Sequence, residues 1–337
     1  MFLELVRQVG ESDPETARKA LDGVAAYERA PRPVPRPARP VAAQARSAVL
    51  RDHGGEGPPA ILVPSLINPP RVLDLDEHVS LAAEVARMGR RAMLLDWGPA
   101  RQRADLDVGG HVEHLLVPLL RQLGEPAALI GYCLGGTMTV AAANLTPVER
   151  VATLAAPWNF AGYADRPRSG LAETWRQSRE SARAMGALPM EVLQAAFWSL
   201  DPERTVRKFA GFAGLDPQSP EALRFIALED WANEGEPLPY PAARELIEDL
   251  FEADLPGQRR WEVGGRAMTD RIAAPLINLL AMHDRISPRQ AAPDGDNALI
   301  EAGHVGMVVG SARAQVHEML RGFLDPACRE GLDPGAT

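Results

Sequence analysis

The sequence has little cysteine, no long apolar run and no excess of positive charge. Its 337 residues include 2 Cys, at positions 133 and 328, which are too few for a disulfide framework and fit a reducing compartment. No apolar stretch approaches the roughly 18 residues of a membrane span, and the first residues lack the basic and apolar regions of a signal peptide. The formal net charge of −9 argues against nucleic acid or an anionic membrane as a partner. We therefore expect a cytoplasmic protein that is not transmembrane and binds no nucleic acid.

Short apolar runs alternate with amphipathic segments through much of the chain. The runs at 60–64, 91–97, 126–130, 151–157, 274–280 and 297–301 predict strands, and the segments at 79–87, 111–123 and 312–323 predict helices. Continuous apolar strands that alternate with helices are typical of a mostly parallel sheet covered by helices on both faces. The fold class is therefore α/β.

Two regions depart from this alternation. Residues 1–47 predict a helix that begins near Asp13-Pro14 and then a Pro-rich linker, and residues 166–252 predict helix after helix without a strand. A helical stretch of that length is too long for one crossover, so we expect a cap or lid inserted into the sheet domain. The expected core is then 48–165 with 253–325, followed by a polar tail at 326–337.

The strand before residue 133 leads into a motif that predicts a nucleophile elbow. Cys133 stands between Gly131 and Gly135, with Gly136 next, and an apolar helix follows. A sharp strand-turn-helix needs glycines where the strand and the helix approach each other, and the helix N-terminus favours a thiolate. With 2 Cys and 29 Gly in 337 residues, chance alone would produce about 0.015 such motifs.

A nucleophilic thiol needs a base, and the base needs an orienting group. The chain supplies Cys133, Asp284 and His304 in that order, each in a loop after a predicted strand, which is the order expected of an α/β-hydrolase. His283 competes with His304 as the base, and Asp96 also follows a strand. His111 and His114 have helical spacing that could hold a metal, but no Cys or acidic cluster completes such a site, so we expect no metal.

Several motifs together resemble polyhydroxyalkanoate synthases, over roughly residues 48–325. The motifs are Pro64-Ser65-Leu66-Ile67-Asn68, Val72-Leu73-Asp74-Leu75, Leu94-Leu95-Asp96-Trp97-Gly98, 131–137, Leu228-Glu229-Asp230-Trp231 and Ala302-Gly303-His304-Val305-Gly306. The resemblance implies an α/β-hydrolase fold and the polymerisation of (R)-3-hydroxyacyl-CoA thioesters with release of CoA. It also implies Cys133 as the acyl-carrying nucleophile, His304 as the general base, and Asp284 as the acid paired with the base or with the attacking hydroxyl.

Further expectations follow from this resemblance. The short N-terminal region is similar to that of the smaller synthases, which work with a separate helical subunit, so we expect such a partner or a homodimer, and action at a polyester granule surface. We expect no cofactor, because the CoA thioester is the substrate. Oxyanion donors are expected in the backbone N–H groups of Leu134 and of the Leu66-Ile67 loop, and Arg166 and Arg168 are candidates to meet the anionic CoA.

Two alternatives to a synthase stay open at this point. If water accepts the acyl group, the same three residues make a thioesterase or an esterase. A non-catalytic, granule-associated homologue is the other alternative, because a fold alone does not fix an activity.

Overall fold

The computed structural model describes residues 2–32 and 36–325, with only the backbone at 166, 167 and 199. The predicted tail at 326–337, with Cys328, lies outside the described residues. Within the described part, the strands are β1 (Val41–Ala45), β2 (Ala48–Asp52), β3 (Pro59–Val63), β4 (Arg91–Asp96), β5 (Ala128–Tyr132), β6 (Arg150–Leu154), β7 (Ala187–Leu188), β8 (Leu238–Pro239), β9 (Glu262–Val263), β10 (Arg266–Ala267), β11 (Leu276–Ala281) and β12 (Asp296–Ile300).

The α-helices connect and flank these strands. They are α1 (Phe2–Ser12), α2 (Pro14–Arg29), α3 (Leu81–Arg87), α4 (Val108–His111), α5 (Val117–Gln122), α6 (Leu134–Leu145), α7 (Asp165–Met185), α8 (Met190–Ser199), α9 (Pro202–Phe212), α10 (Pro220–Asn233), α11 (Tyr240–Arg244), α12 (Gly306–Val309) and α13 (Arg313–Leu324). π-Helical segments span Val112–Leu116 and Glu245–Glu252, and short 3-10 turns include Phe160–Gly162 and Arg289–Ala291. No helix in the described residues is both long and apolar enough to cross a membrane.

Eight strands form one sheet in the order β1-β2-β4-β3-β5-β6-β11-β12. The neighbours from β4 to β12 pair in parallel, whereas β1 and β2 add an antiparallel edge. Strands β3, β5 and β6 have five residues each, and every one of these residues is buried, as expected for central strands covered on both faces. The predicted α/β-hydrolase fold, with a mostly parallel sheet, is confirmed.

The chain divides into two compact units whose borders differ from the predicted ones. The sheet unit comprises Arg39–Leu188 and Glu236–Thr337, and the helical unit comprises Met1–Ala38 and Pro189–Gly235. The predicted border between 47 and 48 is wrong, because it falls inside the hairpin of β1 and β2. The predicted 166–252 cap is also divided, since both of its ends, including α7 and α11, belong to the sheet unit.

The helical unit combines the first two helices with α8, α9 and α10. As predicted, α2 is capped by Asp13, whose side chain accepts a hydrogen bond from the Thr16 N–H at 3.0 Å. Helices α2 and α9 approach closely, because a Cβ on Gly23 would stand 1.9 Å from the Phe209 carbonyl oxygen. Their shared core contains Leu5, Val6, Ala17, Ala20, Val206 and Phe209. The N-terminal segment thus contributes to a folded unit with the middle of the chain.

Candidate active site

The sharp turn at Cys133 joins β5 to α6. Cys133 has φ 55° and ψ −131°, a backbone conformation that costs a non-glycine residue of the order of 1–3 kcal/mol. A Cβ on Gly131 would lie 2.4 Å from the Gly136 Cα, and one on Gly135 would lie 2.1 Å from the Val63 carbonyl oxygen. The predicted elbow glycines are therefore required by close backbone packing, which holds the Cys133 thiol at the N-terminus of α6.

Two backbone N–H groups, one directly after Cys133 and one in the loop after β3, are candidate oxyanion donors. Leu134 is the first residue of α6, so its N–H has no preceding helical turn to bond. In the loop after β3, the Ile67 N–H donates to the Ser65 hydroxyl at 3.2 Å, whereas the Leu66 N–H makes no hydrogen bond to another described residue. Of the two N–H groups predicted in this loop, that of Leu66 is therefore the better candidate to act with the N–H of Leu134.

The acid and the histidine meet at the carboxyl ends of neighbouring strands. Asp284 follows β11 and His304 follows β12, and the Asp284 Oδ2 lies 2.7 Å from the His304 Nδ1. The other oxygen, Oδ1, accepts the backbone N–H groups of Ile286 at 2.7 Å and Ser287 at 2.8 Å. Both side chains are buried, so the carboxylate is fixed in place and orients the imidazole.

The Cys133 side chain lies close enough to the imidazole of His304 for its charge to raise the pKa of that imidazole. Burial by itself would lower the pKa of His304, but the charges of Cys133 and Asp284 and the hydrogen bond to Asp284 raise it to about 10. The imidazolium form of His304 is therefore stabilised at neutral pH. The three predicted side chains come together in one arrangement: sulfur, imidazole and carboxylate.

Tyr132 contacts His304, although the sequence motifs did not single it out as a site residue. Its ring lies 5.0 Å from the His304 ring, and its hydroxyl donates to the His304 carbonyl oxygen at 3.2 Å. Burial, then the charges of Cys133 and Asp284, raise the pKa of Tyr132 well above its ordinary value. The sequence signal was its place directly before Cys133, because the last residue of the elbow strand must lie under the active site.

The other residues that the sequence offered as base, acid or metal ligand make different contacts. His283 is exposed and its Nε2 pairs with Glu301, while Asp96 accepts two hydrogen bonds from the Arg51 guanidinium. His111 is buried, and its Nδ1 donates to the Asp107 carbonyl oxygen at 2.6 Å. Desolvation lowers the pKa of His111 to about 3, so it is neutral. None of the described residues form a group of three or more His, Cys, Asp or Glu side chains that could hold a metal ion.

The two arginines considered for CoA lie in α7. The Arg168 guanidinium donates to the carbonyl oxygens of Phe251 at 3.1 Å and Glu252 at 3.0 Å, at the end of the second π-helical segment. These bonds satisfy the C-terminal carbonyl groups of that segment, so Arg168 has a structural role that the sequence did not reveal. The side chain of Arg166 lies outside the described part of the structure.

No protein-family model matches the chain. Among curated proteins, the poly(3-hydroxyalkanoate) polymerase subunit PhaC of Haloferax mediterranei is 28% identical over 276 residues, which cover 75% of this chain and 55% of that protein. A protein of the same name from Allochromatium vinosum is 25% identical, and the match covers 77% of this chain and 78% of that protein. The chain thus spans little more than half the length of the Haloferax relative.

A solved carboxylesterase structure from Nitrososphaera gargenis has the same fold. It aligns with a TM-score of 0.50 and 14% identity, over 83% of this chain and 95% of that one. The fold is the α/β-hydrolase fold, and the resemblance of the sequence to polyhydroxyalkanoate synthases is confirmed by curated relatives that carry the name of a poly(3-hydroxyalkanoate) polymerase subunit.

Proposed function

We propose that the chain is a polyhydroxyalkanoate-synthase-like acyltransferase that takes (R)-3-hydroxyacyl groups from CoA thioesters and passes them to a hydroxyl acceptor. The observation that carries the proposal is the His304–Asp284 hydrogen bond beside Cys133 at the nucleophile elbow. The names of the curated relatives favour polyester formation over other acyl transfers.

In the first half-reaction, the Cys133 thiolate attacks the carbonyl carbon of the CoA thioester. The negative charge that develops on the carbonyl oxygen is stabilised by the N–H groups of Leu134 and Leu66. When the bond between that carbon and the CoA sulfur breaks, the His304 imidazolium gives its proton to the leaving sulfur. The products are free CoA and an acyl thioester on Cys133.

In the second half-reaction, the neutral His304 accepts the proton of the acceptor hydroxyl. The acceptor oxygen attacks the acyl carbon, the bond to the Cys133 sulfur breaks, and the thiolate returns beside an imidazolium. Asp284 holds the imidazole by its Nδ1 throughout, so Nε2 is the atom that exchanges protons. Cysteine suits the first half-reaction, because the thioester on Cys133 replaces the CoA thioester at little free-energy cost.

The acceptor distinguishes this proposal from its alternative. With water as the acceptor, the same groups would make a thioesterase and release a monomeric hydroxy acid. Both His304 and Asp284 are buried, which limits the access of water to the base. A cytoplasmic location, a helical partner subunit or a homodimer, and action at a granule surface remain predictions from the sequence.

Incubation with (R)-3-hydroxybutyryl-CoA, followed by intact-protein mass spectrometry and product analysis, tests the proposal. We expect CoA release, acyl adducts on the protein, and oligomeric ester products. Cys133→Ala should abolish all three, whereas the control Cys328→Ser should abolish none. Monomeric acid without oligomer would favour the thioesterase, and wild-type protein that behaves like Cys133→Ala would favour a non-catalytic homologue.

A further inference from the structure

Tyr163 is a buried phenol that the reaction described above does not use. It follows the Phe160–Gly162 turn, in the segment that leaves the carboxyl end of β6. In the sheet, β6 lies between β5, which carries Cys133, and β11, which carries Asp284. The Leu66 loop follows β3, on the opposite side of β5. The segment of Tyr163 therefore follows a strand on one side of β5, whereas the Leu66 loop follows the strand on the other side.

The ring of Tyr163 is held between two phenylalanines. It stacks on Phe160 with a centroid distance of 6.0 Å and an interplanar angle of 10°, and the Phe251 ring lies 4.9 Å away. These contacts bury the ring and fix the direction of its hydroxyl. The phenol is the polar group of this three-ring aromatic cluster.

The segment that carries Tyr163 is itself fixed by hydrogen bonds. The Phe160 N–H donates to the buried Asp254 carboxylate at 2.7 Å, and the Asn159 N–H donates to the Ala291 carbonyl oxygen at 2.9 Å. A Cβ on Gly162 would stand 2.4 Å from the Gln290 carbonyl oxygen, so this backbone packs directly on the loop between Asp284 and His304. A side chain held this way is preorganised for recognition.

The hydroxyl of Tyr163 lies beside the groups that carry out the proposed reaction. It lies beside the side chain of Ser287, whose backbone N–H donates to the Asp284 Oδ1 at 2.8 Å. Burial, then the charges of Cys133 and Asp284, raise the pKa of Tyr163 well above its ordinary value. The phenol is therefore a neutral donor throughout the physiological pH range, and the Ser287 hydroxyl can donate to its oxygen while its own O–H points elsewhere.

We propose that Tyr163 is a specificity-determining residue whose hydroxyl donates a hydrogen bond to the 3-hydroxyl oxygen of the acyl group carried on Cys133. This inference rests on the proposed acyl transfer and adds to it the means by which a hydroxyacyl group is distinguished from a plain acyl group. Because β3 and β6 flank β5 on opposite sides, an acyl group whose carbonyl oxygen lies at Leu134 and Leu66 can extend its 3-hydroxyl toward the segment after β6 that carries Tyr163. A site built to bond a substrate hydroxyl disfavours an analogue without it, because a buried donor is then left unpaired.

The test compares two substrates in single turnovers: (R)-3-hydroxybutyryl-CoA and butyryl-CoA. The rate of CoA release gives kcat/KM for acylation of Cys133, and intact-protein mass confirms the adduct. We expect Tyr163→Phe to lower kcat/KM for the hydroxyacyl substrate by about 10-fold or more and to leave that for the butyryl substrate nearly unchanged. Tyr240→Phe removes a phenol hydroxyl from a ring that packs on Trp175, and should change neither value.

Ser287→Ala provides a second variant that keeps the aromatic cluster intact. It removes the hydroxyl that lies beside the Tyr163 phenol, and we expect a smaller loss, again selective for the hydroxyacyl substrate. If Tyr163→Phe keeps the wild-type preference, or loses activity equally with both substrates, the inference is overturned while the acyl transfer stands. If the wild-type protein forms no adduct with either substrate, the proposed function itself fails.

Discussion

The Asp284 carboxylate lies 2.7 Å from the His304 imidazole, although 20 residues and a strand separate them along the chain. The connection between them contains only a 3-10 turn, Arg289–Ala291, and strand β12. The buried Asn278 of β11 ties this connection to the sheet, because its side-chain amide donates to the Pro293 carbonyl oxygen at 2.9 Å and accepts from the Thr153 hydroxyl at 2.7 Å. This connection therefore brings the Asp284 carboxylate and the His304 imidazole together.

Replacing Asp284 by Asn should change the pH dependence of CoA release. The pKa of His304 is raised from an ordinary value of 6.5 to about 10, so the imidazolium that protonates the leaving sulfur is lost only as the pH rises through about 10. Asp284→Asn removes one of the charges that hold this proton, so the loss of rate should begin at lower pH. Single-turnover CoA release, measured from about pH 6 to about pH 11, checks this expectation.

Asp96→Asn is the matched control for that measurement. Asp96 also follows a strand but pairs with Arg51, so its replacement should leave the midpoint of the pH profile unchanged. A wild-type rate that already falls near pH 6.5, or an identical profile in Asp284→Asn, would contradict the assigned role of Asp284.

The two histidines that the sequence offered as the base should respond differently to replacement by alanine. His304→Ala removes the group that moves protons in both half-reactions, so the rate of acyl transfer should fall by about 10²–10⁴-fold. His283 is exposed and pairs with Glu301, so His283→Ala should keep the rate within about threefold of the wild type. Initial rates of CoA release give both values, and comparable losses in the two variants would contradict the assignment of His304 as the base.

The sequence predicted the parts of the site that depend on local chemistry. A thiol between glycines after an apolar strand indicates the elbow, and the placement of Cys133, Asp284 and His304 at one edge follows from parallel strands that end there. The arrangement of the Leu66-Ile67 loop could not be predicted, because the Ile67 N–H is used by a hydroxyl only two residues away. That choice depends on the torsion angles of one loop, which no spacing of residues encodes.

The division into two units could not be predicted from the sequence, for a different reason. The association of Met1–Ala38 with Pro189–Gly235 depends on contacts between segments far apart in sequence, such as the approach of Gly23 to Phe209. A glycine within a helix carries no sign of which distant backbone it meets. Strand β1 was missed because its residues, Val41–Ala45, follow a Pro-rich stretch and show no regular alternation. Both features depend on tertiary packing.

An added methyl group at Gly135 should disable the elbow. The Cβ of Gly135→Ala would lie 2.1 Å from the backbone carbonyl oxygen of Val63, which cannot move without displacing the central strand β3. We expect a loss of about 2–4 kcal/mol in the free energy of unfolding, and a loss of Cys133 acylation in the protein that remains folded.

Gly170→Ala is the matched control for this substitution. Gly170 lies within α7, where a Cβ would meet nothing within 4 Å, so alanine should stabilise the helix by about 0.5–1 kcal/mol. Urea unfolding followed by circular dichroism compares the two variants. If Gly135→Ala were as stable and as active as Gly170→Ala, the close packing of the elbow would be irrelevant to its function.

The buried ion pair of Arg90 and Glu149 should contribute to the acid sensitivity of the sheet unit. The Arg90 side chain is 2% exposed, and its guanidinium donates to both oxygens of Glu149 at 2.5 and 2.8 Å and to the Leu324 carbonyl oxygen at the end of α13. Burial alone would raise the pKa of Glu149, but the Arg90 hydrogen bond and charge lower it below its ordinary value of 4.5. The stability that this carboxylate contributes is therefore present above about pH 4.5 and is lost as the pH falls through its lowered value.

Glu149→Gln should leave the buried Arg90 charge without its partner and destabilise the protein by about 3–5 kcal/mol at neutral pH. Because the variant lacks the titrating carboxylate, its free energy of unfolding should also fall less steeply than that of the wild type as the medium is acidified. The exposed pair of Arg18 and Asp22 offers a control, since Asp22→Asn should cost no more than about 0.5 kcal/mol. Urea unfolding at neutral and acidic pH measures all three proteins, and equal losses in Glu149→Gln and Asp22→Asn would show that burial of the Arg90 pair adds nothing to stability.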